Sequence, residues 1–401
     1  MSISSSIFLI KPIVGEITDK AIIFLVNTSY STTLKLNING QFHSTYQTNS
    51  ATPTRLIVDI EVCSIKTYTW LRNGIIVSEH RLGPNIDTLV FVSCDLTEAD
   101  TKHSLWNKIS TDEKSGLCIH LGDNIYGDRV YQDTVQDYDN RYSKTWSKWI
   151  DLLTDFSHIM VADDHEVVDG YGYADRLKPE SQAGLTAYKN YQVALLNDSK
   201  GDIIVKKINS DTTIYAISRT MIDTTPMEKL RQYRWTMTDK IILAFSSAPV
   251  PVTNGISGSI YTSIFGSSGW EDPDLKDLYD FCFDLLTTNQ VQQIILIGGD
   301  IHIGVSGTVS KGNHHIDVYV PSGISSHPTV IESICATAIN GRYDYQGYQM
   351  DFTAKAKRNY LSIGLPLKPT TPGKIIYNNE SYPHDIKAYL SEMYYMLKNK
   401  L

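Results

Sequence analysis

Five short apolar runs between residues 88 and 302 constrain the fold of this chain more than any other feature. They are rich in β-branched residues, and longer stretches with helical spacing lie between them, near residues 98–115, 133–156 and 273–289. Apolar strands that alternate with helices are typical of βαβ units and of a mostly parallel sheet. We therefore expect an α/β domain. The runs are TLVFVSCD (88–95), LCIHLGD (117–123), HIMVADDHE (158–166), KIILAFSSAP (240–249) and QQIILIGGDIH (292–302).

The chain before these runs has a different pattern. Short β-branched segments such as IIFLVNTS, TLKLNING and KTYTWLRNG are separated by Asn, Gly and Ser turns, which predicts a small β-sandwich over residues 1–86. Pro84 marks the predicted boundary, because proline cannot continue a strand ladder. The α/β domain is then expected over residues 87–365. The last segment, 366–401, is predicted to end in a helix near 383–398 that either packs on the body or covers a pocket as a lid.

Composition excludes several functions. A formal net charge of −8, without a cluster of lysines or arginines, argues against a nucleic-acid surface. The five cysteines are scattered without C-x-x-C spacing, so neither a disulfide framework nor a zinc ribbon is indicated. Neither a signal peptide nor a membrane span is recognisable. We expect a soluble protein in the cytoplasm or elsewhere inside the cell, and the oligomeric state is not indicated.

Four of the five apolar runs end in side chains that can bind metals. In an open α/β sheet the carboxyl ends of the strands form the ligand site. So many acids at one edge would repel each other unless cations neutralised them. Oxygen and imidazole donors with one thiol indicate a transition metal, alone or with a hard cation such as calcium. The side chains are Cys94 and Asp95, Asp123 and Tyr126, Asp163 to Glu166, and Asp300 with His302.

Each of these motifs also has an ordinary interpretation when taken alone. Asp123 follows a glycine and fits a turn, residues 163–166 fit the start of a helix, and Cys94 fits a small buried apolar position. Asp300 and His302 give a stronger signal, since residues i and i+2 of an extended chain face the same way. The two glycines before them permit close approach of the backbone.

The ordered set SCD, HLGDNIY, DDHEV and GGDIH resembles the PhoD-like alkaline phosphatase/phosphodiesterase family, a branch of the calcineurin-like metallophosphoesterases. The resemblance covers roughly residues 86–330. The N-terminal region is similar to the small domain that precedes the catalytic domain in that family. It implies a metallophosphoesterase-type α/β sandwich after a small all-β immunoglobulin-like domain, with a C-terminal helix. The implied activity is hydrolysis of phosphate monoesters or diesters by a metal-activated water.

The resemblance also implies roles for individual residues. His165 would lie against the scissile phosphate, where it would stabilise developing charge or protonate the leaving oxygen. Other divalent transition metals would suit the same donors. The implied ligands of ferric iron (Fe3+) are Cys94, Asp123 and Tyr126. The implied ligands at the remaining metal positions, including calcium (Ca2+), are Asp164, Asp300 and His302, and Asp163 could replace a neighbouring ligand.

Two departures from the family pattern leave an alternative open. DDHEV is followed by DGYGYAD after a second valine, where related sequences have an acid and two asparagines, so Asp169 is a possible replacement ligand. An expected Asp-Thr-Arg motif is found as Asp223-Thr224-Thr225, so its arginine is missing. The alternative is a catalytically degenerate metallophosphatase-fold protein that acts as an interaction or binding module. The preferred interpretation is a metal-dependent phosphoesterase.

Overall fold

The computed structural model describes residues 8–18, 20–50, 52–59, 66–82, 86–96, 104–113, 116–129, 134–197, 203–233, 235, 239–251, 270, 272–326, 328, 330–368 and 372–378. The predicted boundary at Pro84 and the predicted helix near 383–398 lie outside these residues. Within the described ranges, no helix is both long enough and apolar enough to cross a membrane.

The N-terminal region folds as an antiparallel β-sandwich, which confirms the sequence prediction. Its strands are β1 (Phe8–Ile17), β2 (Ala21–Thr28), β3 (Thr32–Ile38), β4 (Gln41–Thr48), β5 (Thr54–Asp59), β6 (Lys66–Arg72) and β7 (Ile75–Leu82). One sheet has the order β1-β2-β5 and the other the order β4-β3-β6-β7. Asn39-Gly40 and Asn73-Gly74 turn the chain between neighbouring strands, and all four residues have positive φ, as tight hairpin turns require.

The sheet β1-β2-β5 packs against a different hydrophobic core on each of its two faces. Val14 and Phe24 face the core of the sandwich. Ile13 and Leu25, their neighbours in sequence, belong instead to the cluster around Trp106 of the α/β domain. Successive side chains of a strand point to opposite faces, so one sheet can serve both cores. The sandwich is therefore packed into the rest of the protein along a whole face.

Polar contacts join the same two parts. His80 on β7 donates from Nδ1 to the Thr154 carbonyl oxygen at 2.8 Å. Arg55 on β5 donates from Nη2 to the Leu196 carbonyl oxygen at 2.8 Å. Burial lowers the pKa of His80 to about 4, so this imidazole is neutral in the folded protein near pH 7.

The α/β domain contains two mixed sheets that face each other. In the first sheet three parallel strands form one side and an antiparallel hairpin the other, and in the second sheet the parallel strands lie between antiparallel strands. The first sheet comprises β10 (Ser157–Val161), β9 (Leu117–Leu121), β8 (Thr88–Val92), β19 (Asn359–Gly364) and β20 (Gly373–Tyr377), in that order. The second comprises β11 (Ile203–Lys207), β12 (Thr212–Ile217), β13 (Lys240–Phe245), β14 (Gln293–Gly298), β16 (His314–Pro321), β15 (Gly304–Lys311), β18 (Tyr348–Lys355) and β17 (Gly341–Tyr345).

The α/β prediction is confirmed, including the sandwich that the family resemblance implies, but both sheets are mixed rather than mostly parallel. The five apolar runs are divided between the sheets, with β8, β9 and β10 in the first and β13 and β14 in the second. Each run is apolar throughout because one face packs on the opposite sheet and the other on helices. Periodicity reports this burial on both faces, but it does not report which strands share a sheet.

Helices cover the outer faces of both sheets. The stretch at 98–115 contains one helix, the stretch at 133–156 contains two helices joined by a 3₁₀ turn, and the stretch at 273–289 contains the longest helix among the described residues. The helices are α1 (Ser104–Asp112), α2 (Val135–Trp146), α3 (Ile150–Asp155), α4 (Pro179–Tyr191), α5 (Pro226–Leu230), α6 (Asp272–Thr287) and α7 (Val330–Ile339).

Candidate metal centre

The loops after β8, β9, β10 and β14 meet at one edge of the two packed sheets. The backbone N–H of Cys94 donates to the Gly122 carbonyl oxygen at 3.2 Å, which joins the loops after β8 and β9. Gly299 brings in the loop after β14, because a Cβ at this position would lie only 2.7 Å from the Leu121 carbonyl oxygen. Glycine therefore allows the second sheet to place its side chains against those of the first.

Four predicted ligands have an unusual backbone conformation. The φ angles are 60° at Cys94, 53° at Asp123, 73° at Asp300 and 53° at His302. Non-glycine residues in the left-handed region cost about 1–3 kcal/mol each and are concentrated at functional sites. The expectation that Asp300 and His302 lie on an extended chain is therefore wrong, since a strained turn directs both side chains.

Cys94, Asp123, Tyr126 and His302 form one cluster of donors. A thiol, a carboxylate oxygen and a ring nitrogen of Cys94, Asp123 and His302 lie within 4.8 Å of one another. The Tyr126 hydroxyl oxygen lies 3.0 Å from His302 Nε2 and 3.4 Å from Asp123 Oδ2. Donor atoms of Asp123, Asp164 and His165 form a second group of the same size, and Asp123 belongs to both.

The electrostatics of this cluster favour a bound cation. Burial raises the pKa of Asp123 well above its usual value and that of Asp300 to about 6, because a buried carboxylate lacks solvation. Asp123 Oδ1 and Asp163 Oδ2 are buried without a hydrogen-bond partner among the described residues. For Cys94, burial raises the pKa of the thiol, but His302 outweighs this effect and leaves the pKa below its usual value. The donors present fit a metal.

Arg219 occupies the other side of the site. It follows β12, and its Nε donates to Asp163 Oδ1 at 2.9 Å while Nη2 lies 3.2 Å from Asp300 Oδ2. The interpretation that the site lacks an arginine is therefore wrong, because Arg219 supplies one. Thr225, where the arginine was expected, instead caps α5 by accepting a hydrogen bond from the Glu228 backbone N–H at 3.2 Å.

His165 is oriented by a carboxylate that the motif comparison did not single out. Its Nδ1 lies 2.8 Å from Asp128 Oδ2, and its ring packs on Tyr126 at a centroid distance of 4.3 Å. Burial lowers the pKa of His165, but Asp128 and the neighbouring carboxylates outweigh burial and leave it well above its usual value. Asp169 lies with Asp128 and His165, not in the group that contains Asp123 and Asp164.

Glu166 fastens the loops that carry the site. Its Oε2 accepts from the backbone N–H groups of Asp123 at 3.1 Å and Asp163 at 2.8 Å. Its Oε1 accepts from the Asn124 backbone N–H at 2.6 Å and from Gln192 Nε2 at 3.2 Å. Because its carboxylate accepts four hydrogen bonds, Glu166 acts as a structural clamp between the loops after β9 and β10.

Other polar groups near the strand ends bind within the core. Asp95, which follows Cys94, accepts from Trp106 Nε1 at 3.3 Å. His120 and His158 form a buried pair with 3.0 Å between Nε2 and Nδ1. Cys118 lies beside them, but each ring already has a hydrogen-bond partner, and burial lowers the pKa of both imidazoles. We interpret this pair as a structural element of the core.

Sequence reasoning assigned no role to three side chains that border the site. Asp128 was visible in the same loop as Asp123, and Arg219 follows the β-branched run TTIYAI, which is itself a strand signal. Glu332 had no sequence signal, because it lies in a helix outside the motifs. It is nevertheless buried, with Oε1 3.0 Å from His302 Nδ1.

Comparison with known proteins gives a match in structure only. No protein-family model and no curated protein matches the chain. The solved structure of PhoD superposes with a TM-score of 0.70 at 13% identity, and the match covers 100% of both chains. Purple acid phosphatase PPD1 from yellow lupin (Lupinus luteus) seeds superposes with a TM-score of 0.56 at 11% identity, covering 88% of this chain and 69% of that one. This chain therefore has the fold of PhoD, in agreement with the fold that its four motifs predict.

Proposed function

We propose that this protein is a metal-dependent hydrolase of phosphate esters. The observation that carries the proposal is the convergence of Cys94, Asp123, Tyr126 and His302 on one point. This cluster lies at the carboxyl ends of the parallel strands, in a fold shared with PhoD and with a purple acid phosphatase. The name of the purple acid phosphatase indicates phosphate chemistry for that protein, and the donor set here supports the same chemistry.

The donors suggest which metals the site would hold. Cys94 and Tyr126 supply a thiolate and a phenolate, and with Asp123 they make an anionic set that suits ferric iron, completed by the His302 imidazole. Asp123 and Asp164, with Asp300, supply oxygen donors for a second cation such as calcium or another divalent metal. Metals bound there would polarise the phosphoryl oxygens and lower the pKa of water. Asp163 contacts Arg219 through Oδ1, and its Oδ2, which has no hydrogen-bond partner among the described residues, stays available as a substitute ligand.

The chain's own groups complete the chemistry. Because Asp128 binds Nδ1 of His165, this contact does not occupy Nε2, which would act on the substrate. A protonated His165 can stabilise charge on a phosphoryl oxygen and donate its proton to the leaving oxygen. Arg219 provides a permanent positive charge beside Asp163 and Asp300 and draws the phosphate group to that side.

The alternative, a degenerate fold that serves only as a binding module, has less support. The apparent loss of an arginine was one of the two observations that favoured the binding-module alternative, and the position of Arg219 removes that support. The second observation, the altered segment after DDHEV, concerns Asp169. The donor atoms of this residue do not belong to the group that contains Asp123 and Asp164. The four-donor cluster does not depend on that segment.

A direct test measures metal and turnover together. Purified protein is assayed for iron, calcium and other metals by elemental analysis, for a visible absorption band, and for hydrolysis of p-nitrophenyl phosphate and bis-p-nitrophenyl phosphate. Cys94→Ser should lose both metal and turnover. Cys282→Ser, which changes an equally buried thiol within α6, is the matched control and should retain both. Wild-type protein that binds no metal and leaves both esters intact would refute the proposal.

A further inference from the structure

Helix α7 places a buried carboxylate next to the cluster of donor side chains. Glu332 lies in the first turn of this helix and is 1% exposed. Its Oε1 lies 3.0 Å from Nδ1 of His302, a residue 30 positions earlier in the chain. A carboxylate is costly to bury unless it is paired and hydrogen-bonded. Its burial here, directed at one predicted ligand, indicates a specific task.

The contacts of the His302 ring define which nitrogen faces the metal. Nδ1 must carry a proton to donate to the Glu332 carboxylate. Nε2 then faces the cluster, 3.0 Å from the Tyr126 hydroxyl oxygen. The backbone of His302 is also fixed, because its N–H donates to Ser322 Oγ at 2.8 Å. The imidazole is thus held in one orientation, with the required nitrogen toward the other donors.

We propose that Glu332 is a positioning residue that fixes His302 as an Nε2 ligand and increases the electron donation of its ring to the metal. This inference rests on the proposed function, since it assumes a metal held by Cys94, Asp123, Tyr126 and His302. Carboxylates that accept the second N–H of a metal-bound histidine orient the ring and raise its basicity. Loss of such a partner typically weakens metal affinity about 10–100-fold.

The experiment compares Glu332→Gln and Glu332→Asp with the wild-type protein. Glutamine keeps the size of the side chain and can still accept a hydrogen bond, but it lacks the negative charge. Metal affinity is measured by competition with a chelator, and the visible band expected from Tyr126 bound to ferric iron is recorded. Glu332→Gln should weaken metal affinity about 10–100-fold and shift the band, while the metal-free protein keeps its circular dichroism spectrum. Glu332→Asp, which keeps the charge, should lie between Glu332→Gln and wild type.

Two controls separate positioning from a general effect on stability. Glu180→Gln removes an exposed carboxylate from the first turn of α4 and should leave metal affinity and the band unchanged. In a His302→Asn background, Glu332→Gln should cause no additional loss of affinity, because the ring on which it acts is gone.

The outcomes also separate this inference from the proposed function. If wild-type protein binds metal and hydrolyses phosphate esters, but Glu332→Gln retains full affinity and an unchanged band, the role of Glu332 is refuted and the function stands. If Glu332→Gln lowers metal affinity equally in the wild-type and the His302→Asn background, the role of Glu332 is refuted as well. If Glu332→Gln does not fold, Glu332→Asp decides, and wild-type affinity with an unchanged band in that variant refutes the role. Absence of metal from wild-type protein refutes the proposed function first.

Discussion

Replacing Glu166 with glutamine should destabilise the protein strongly, although the change is nearly isosteric. Oε1 and Oε2 each accept two hydrogen bonds, from the backbone N–H groups of Asp123, Asn124 and Asp163 and from Gln192 Nε2. In glutamine one of the two oxygens becomes an NH₂ group, which cannot accept. Two buried donors therefore lose their acceptor whichever way the amide is turned.

The size of the effect follows from those two donors. A buried donor left without a partner costs about 1–3 kcal/mol, so Glu166→Gln should lower the free energy of unfolding by about 2–6 kcal/mol. That is a large part of the roughly 5–15 kcal/mol that stabilises a typical domain. The loops that carry Asp123 and Asp163 should also lose their connection, so metal affinity should fall with stability.

Urea unfolding of the metal-free protein, followed by circular dichroism, measures this loss. The exposed Glu180→Gln is the control for removing one negative charge and should change the unfolding free energy by less than about 0.5 kcal/mol. A loss below about 1 kcal/mol for Glu166→Gln would show that the four hydrogen bonds do not hold the loops as described.

Four further predictions concern the site and the sandwich. His165→Asn should lower kcat about 10²–10⁴-fold at unchanged metal content, and steady-state kinetics that show wild-type kcat would exclude it as the proton donor. Tyr126→Phe should abolish the visible band, so its survival in the absorption spectrum would remove Tyr126 from the ligands. Arg219→Lys should weaken inhibition by inorganic phosphate, measured as a higher inhibition constant, because a single ammonium cannot span two carboxylates and a phosphate. The pKa of His80 falls from 6.5 in the unfolded chain to about 4 in the folded protein, so the neutral imidazole stabilises the protein fully above pH 6.5, and this stabilisation is lost toward pH 4. The loss reaches about 2 kcal/mol of unfolding free energy by pH 5. Urea unfolding of His80→Gln should not show this pH dependence.

The positions of the strands along the chain and the meeting of their ends could be predicted from the sequence because both depend on local patterns. Apolar runs predicted the strands, and Cys94, Asp123 and His302 were recognisable since each lies within four residues of the end of such a strand. The runs alone did not show how they divide between the two sheets of the sandwich, because a strand buried against a sheet and one buried against a helix have the same composition.

The groups that support the ligands were harder to predict for a different reason. Arg219, Asp128 and Glu332 reach the site through tertiary contacts across 56, 37 and 30 residues. No local period links such pairs. The direction of Asp300 and His302 could not be predicted from the pattern either, since both residues have a left-handed backbone.

The sheet formed by β1, β2 and β5 limits how this protein can be dissected. A shortened chain that begins at residue 87 would lack Ile13 and Leu25, which complete the apolar cluster around Trp106. The exposed cluster would favour aggregation of the isolated half. The two halves differ in sequence pattern, yet side chains of the sandwich complete a core of the α/β domain, so biochemical work on this protein requires the sandwich to remain attached.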